Sequence, residues 1–199
     1  MIAFDSTKSY ILENDTVLLR PLLDTDYENL LHFAIKEPDI WKFSLIAVSG
    51  KDGLKNYIDT ALAARAIGNE YPFIVFDKRT QQYAGSTRFY DIQLHNKSAQ
   101  LGYTWYGKSF QGTGLNKNCK LLLLQFAFEN LELERVEFRA DNNNERSKAA
   151  MKSIGCVEEG VLRSHVDTFT GIRRNSVILS ILKQEWYGGV KENLAAKIN

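Results

Sequence analysis

The residues best suited to do chemistry in this chain are Gln111-Gly112-Thr113-Gly114-Leu115-Asn116-Lys117. They lie between an aromatic, strand-like segment, Leu101-Gly102-Tyr103-Thr104-Trp105-Tyr106, and a leucine-rich segment with helical character. Two glycines at a helix entry let a ligand come close to the backbone, because no side chain intervenes. The first N–H groups of a helix have no internal partner and sit at the positive end of its dipole. A strand, a glycine turn and a helix start together make a site for an anion, most naturally a phosphate. Asn116 or the turn residues before it can cap the helix. A Walker loop requires G-x-x-x-x-G-K-[ST], which the chain lacks, and the third glycine of a dinucleotide fingerprint is replaced by Lys117. Alone, the G-x-G serves a tight turn as readily as a phosphate.

A second segment carries the reading further. It runs from strand-like Val136-Glu137-Phe138-Arg139-Ala140 through the polar turn 141–147 into a short amphipathic stretch that ends at Gly155. Together the two segments resemble the GNAT family of acetyl-CoA-dependent N-acetyltransferases. The family's Q/R-x-x-G-x-G/A loop falls on Gln111, Gly114 and Asn116, and its N-x-x-S helix start on Asn144 and Ser147, with Gly155 closing the helix. The run Glu159-Gly160-Val161-Leu162-Arg163 and the stretch 171–181 resemble the Rim-type branch, which acetylates protein N-termini and some small amines. So does Leu18-Leu19-Arg20-Pro21 followed by Asp24-Thr25-Asp26-Tyr27. The resemblance spans residues 16–187.

The resemblance implies a single α/β domain, with a mixed and largely antiparallel sheet splayed between its fourth and fifth strands and flanked by helices. Residues 1–15 would form an N-terminal arm and 188–199 a C-terminal tail. The pantetheine arm of acetyl-CoA would add to the strand ending at Tyr106 by β-augmentation. Backbone amides of Thr104, Trp105 and Tyr106 would polarise the thioester, and N–H groups from Gln111, Gly112, Thr113, Gly114 and Leu115 would hold the pyrophosphate. Asn116 departs from the family's small residue, so it either crowds the phosphate or adds an amide donor. Asn144 corresponds to the family asparagine near the pantetheine, although it would also serve as a plain N-cap. Ser147 corresponds to a hydroxyl near the CoA sulfur. Met151 stands where many members carry a tyrosine acid, which leaves Ser147 to protonate the thiolate. Val166 stands at the position of a Rim-type glutamate base, which makes the adjacent His165 a candidate base, with activity rising through an apparent pKa of about 6 to 8.

Arg88, Tyr90, Tyr103 and Trp105 alternate on neighbouring strands and either line an acceptor pocket or pack a sheet face. Among aromatic rings, Arg88 could hold a substrate carboxylate or carbonyl. Lys117, Lys120, Arg146 and Lys148 are candidates to neutralise the 3′-phosphate of CoA, or else solvated helix faces.

These residues need a frame to position them. Helical spacing at Leu30, Leu31, Ala34 and Ile35 predicts a helix stopped by Pro38, and Leu54, Ile58, Leu62 and Ala66 predict another over 52–67. The apolar run 72–77 reads as a central strand. Further strands are expected over 17–22, 83–94, 99–106, 134–140, 156–167 and 173–182, and helices over 115–131 and 144–154. With 25 basic and 24 acidic side chains, the net charge of +1 gives no excess for nucleic acid. Cys119 and Cys156 read as reduced thiols of a cytoplasmic protein, not a disulfide framework or a metal set. No apolar run is long enough to span a membrane. The expected partners are acetyl-CoA and an amine, either a peptide N-terminus or a small molecule, with a homodimer left open. A non-catalytic acyl-CoA-binding module is the alternative, motivated by Met151 and Val166.

Overall fold

The structure, a computed structural model, describes residues 4–198, so residues 1–3 of the expected arm and 199 of the tail lie outside it. In chain order the strands are β1 (Leu12–Glu13), β2 (Val17–Pro21), β3 (Glu70–Asp77), β4 (Gln82–Gln93), β5 (Ser98–Tyr106), β6 (Arg135–Asp141), β7 (Val157–Asp167) and β8 (Arg173–Leu182). The helices are α1 (Tyr27–Lys36), α2 (Gly50–Ala66), α3 (Leu115–Gln125), α4 (Glu145–Ser153), α5 (Lys183–Glu185) and α6 (Lys191–Ala195). They flank one eight-stranded sheet of order β1-β2-β3-β4-β5-β6-β8-β7.

Phe73, Ile74 and Val75 of β3 are all fully buried, as a continuous apolar run requires when helices cover both faces of its sheet. Side chains alternate across the sheet. Ser86 and Arg88 therefore face α1 and α2, where the Tyr57 hydroxyl approaches Ser86 Oγ at 3.3 Å. Phe89 faces the other way and meets Phe126, just beyond α3, at 6.2 Å between ring centroids. α1 buries Leu30, Phe33 and Ala34, while Ile35 of the expected stripe is half exposed. At 3.6 residues per turn, Ile35 lies one step off the face that Leu30 and Phe33 define.

The expected helix over 115–131 is α-helical to Gln125 and then widens into a π turn at Phe126–Asn130. That turn lets Phe126, Ala127 and Phe128 all enter the core. Trp186 stacks on Phe128 at 5.6 Å and donates its indole N–H to Glu129. Tyr10 packs against Tyr71 and Phe126, and Leu194 of α6 is buried.

Every pairing in the sheet is antiparallel except that of β5 with β6. That parallel pairing is confined to Ser98↔Arg135, Ala99↔Val136 and Gln100↔Glu137. Beyond it, β5 continues to Tyr106 and β6 to Asp141 without pairing to each other. The two strands part, and their backbone groups along the opening are left for something else to satisfy.

Candidate active site

At one end of this opening stands the glycine loop. Gly112 and Gly114 have φ of +77° and +84°, left-handed values that favour glycine, and a Cβ added at either would meet nothing within 4 Å. Gly114 is the N-cap of α3 and no side chain caps the helix, so its first N–H groups remain free to face an anion. The loop is held from three sides. Arg79 pairs with buried Asp77 at 2.9 Å and donates to the Thr113 carbonyl at 2.9 Å. Gln111 Nε2 donates to the Tyr106 carbonyl at 2.8 Å, which ties the loop to the end of β5. Arg146 of α4 donates to Gln111 Oε1, joining the two motif segments.

Asn144 is the N-cap of α4, and its Oδ1 accepts from the Ser147 N–H at 3.0 Å. The capping role is therefore present in the structure. Ser147 is half-buried in the first turn of α4, and Met151 is buried one turn further on.

On the α1–α2 side of the sheet, the predicted pocket residues do gather. A bulge at Tyr103, whose φ is +47°, interrupts the register of β4 with β5 and turns that ring toward Arg88. The Arg88 guanidinium lies 4.1 Å from the Tyr103 ring centroid and 4.7 Å from that of Tyr57. Arg88 is already paired with Glu70 at 2.5 Å, although its Nε and Nη2 have no hydrogen-bond partner. Tyr90 meets Tyr103 edge-on at 5.1 Å, and burial pushes both phenols up. Trp105 is buried among Phe33, Trp41 and Tyr57, so its indole belongs to the packing of that face and its backbone is what borders the opening.

His165 lies across the sheet from this cluster. A second bulge in β7, with Ser164 at φ +50° and its N–H held by Asn175 Oδ1, aims the imidazole at β6 and β8. Nδ1 sits 3.1 Å from Ser176 Oγ and Nε2 sits 3.3 Å from Arg139 Nη1. Burial, then Arg139, Arg174 and Arg173, push its pKa below the ordinary imidazole value, against a weaker pull from Glu137.

Lys120 requires a correction. Read from sequence as a candidate 3′-phosphate ligand or solvated face, it is 5% exposed and points inward from α3. α3 is apolar on nearly every side, so nothing in its pattern marks which residues face solvent. Lys148 pairs with Glu145 at 2.7 Å. Sequence reasoning passed over Arg79, Glu70, Arg139 and Arg174, because their partners are distant in the chain.

A loop of free helix N–H groups, set at the mouth of two parting strands, is built to take an anionic head with an extended tail. Residues 16–157 match the model of the acetyltransferase (GNAT) domain. The chain belongs to the GNAT family of acetyl-CoA-dependent N-acetyltransferases. It is 36% identical over 104 residues to "Putative ribosomal N-acetyltransferase YdaF" of Bacillus subtilis (strain 168), a match covering 52% of this chain and 56% of that protein. The crystal structure of an acetyltransferase of T. thermophilus is 31% identical over the full length of both chains, with a TM-score of 0.87. Mycobacterium smegmatis RimJ in complex with CoA-disulfide shares the fold, at 20% identity and a TM-score of 0.75 over 95% of this chain and 93% of that one. Among the described residues no helix is long and apolar enough to cross a membrane, and no group of His, Cys, Asp and Glu is arranged to hold a metal.

Proposed function

We propose that this protein transfers the acetyl group of acetyl-CoA to a primary amine by direct attack in a ternary complex. The observation that carries the reading is the parting of β5 from β6 beside an uncapped, glycine-lined start of α3. The pantetheine would hydrogen-bond along Thr104–Tyr106 as an added strand, and the N–H groups of 111–115 would take the pyrophosphate, with Asn116 beside them. The acceptor would enter from the α1–α2 side, over Arg88, Tyr90, Tyr103 and Trp105. His165 is the base that takes its proton, and Ser147 donates a hydrogen bond to the leaving sulfur. Cys119 and Cys156 are buried, with thiols pushed up to about 12, and supply no nucleophile for a covalent route. Their reduced state fits a cytoplasmic protein.

We take the acceptor to be a peptide or protein N-terminus, a reading supported by the ribosomal N-acetyltransferase name of the Bacillus subtilis relative. Incubation with acetyl-CoA and a library of peptides and small amines, read by mass spectrometry, tests it. Acetylation of small amines with peptides untouched would overturn this choice of acceptor. A second reading, an acyl-CoA-binding module without turnover, draws on buried Met151 at the position of the family's acid. CoA binding without thiol release for any amine would favour it.

A further inference from the structure

One charged group at the opening is unused by this scheme. Lys120 Nζ donates to Thr104 Oγ1 of β5 at 2.9 Å and lies 5.8 Å from the ring centroid of Phe138 on β6. The ammonium therefore sits between the two strands where they part, on the α3 side. Thr104 is fixed in turn by Thr87 Oγ1 at 2.7 Å. The groups facing Lys120 are the thiols of Cys119 on its own helix and Cys156 at the start of β7, the Thr104 hydroxyl and the Phe138 ring. No carboxylate among the described residues lies close enough to share its charge. An ammonium buried without a counter-ion is costly, and a methionine would fill the same space. What the position lacks is an anion.

We propose that Lys120 is the group that meets the thiolate released in acetyl transfer, supplying first its counter-charge and then its proton. The proposal rests on the acetyl-CoA reading above. The acceptor nitrogen, having lost a proton to His165, forms the new C–N bond at the thioester carbonyl carbon. The C–S bond breaks and its electron pair goes to sulfur. A proton passes from Lys120 Nζ to that sulfur, and the neutral lysine regains one from solvent before the next turnover. A serine hydroxyl cannot easily give up its proton outright, so Ser147 orients the sulfur while Lys120 discharges it. Burial brings the ammonium down to about 8, close to the ordinary thiol value of about 8.5, the match that favours proton transfer. Both neighbouring thiols, at about 12, stay neutral across that range.

The test uses Lys120→Met and Lys120→Arg in the full chain. CoA binding is measured by calorimetry, and the thiol of bound CoA is titrated by the ultraviolet absorbance of its thiolate. In the wild type, bound thiol should titrate about one pH unit below free CoA, giving about tenfold more thiolate in the alkaline limb's foot. K120M should return it to the value of free CoA and lower kcat about 10²-fold or more. That loss should shrink with an acetyl thioester of a more acidic thiol, which needs no proton to leave. K120R keeps the charge but cannot give up a proton, so it should retain the lowered titration and still lose turnover. CoA binding with the same thiol titration in wild type and both variants would overturn the role of Lys120 alone. Failure of the wild type to bind CoA would overturn the acetyl-CoA reading itself.

Discussion

Arg139 Nη1 stands 3.3 Å from His165 Nε2, so the candidate base shares its proton-accepting nitrogen with a fixed cation. The folded pKa lies below the unfolded value of about 6.5. The folded state thus binds this proton less readily than the unfolded chain, and protonation below that pH removes stability. In function, the rising limb of kcat/KM should fall below the ordinary imidazole value, lower than the window of about 6 to 8 expected for an unperturbed histidine. Arg139→Gln should move the limb upward, and His165→Ala should abolish it or lower the profile by at least about tenfold. A limb that does not move in Arg139→Gln would assign the proton to another group.

Gly114→Val tests the phosphate loop. The left-handed backbone at φ +84° opposes any β-branched residue, at a cost of about 1–2 kcal/mol, yet the new side chain strikes no neighbour. The variant should fold and lose most of its CoA affinity. Arg79→Ala should weaken CoA binding less, because it only frees the Thr113 carbonyl. Calorimetry on both variants, with melting curves beside it, separates affinity from stability.

Ser147 and Asn144 are coupled through the cap at 3.0 Å, and mutation separates their contributions. Ser147→Ala retains the backbone N–H that Asn144 accepts from. It should lower kcat while the Kd for acetyl-CoA stays within a few-fold. Asn144→Ala removes the cap and should cost about 0.5–2 kcal/mol in denaturant unfolding. Normal turnover in Ser147→Ala would leave it a first-turn polar residue only.

Glu70→Gln should cost about 3–5 kcal/mol in urea unfolding, because it leaves the 1%-exposed Arg88 as an uncompensated charge between two rings. If that face receives the acceptor, a milder variant, Tyr103→Phe, should raise KM for the amine and leave Kd for CoA unchanged. Equal amine KM values in both proteins would make the cluster packing alone.

The linear order of a strand, a glycine turn and a helix, then a strand, a polar turn and a short helix, was legible without coordinates. Each signal there is local: glycine where φ must be positive, asparagine where a helix begins, an apolar run where both faces are covered. The positions of the motif residues follow from that order, and so do nearly all element boundaries. Tertiary structure alone decided which way the polar side chains at the opening point. α3 is apolar almost all round, so periodicity cannot show that Lys120 turns inward to Thr104. Single-residue bulges at Tyr103 and Ser164 reverse the strand alternation on which sequence patterning depends. The partners of Arg79, Arg88 and His165 are brought in by strand register and by packing across the sheet. Such contacts depend on where distant segments come to rest, and no local pattern encodes that.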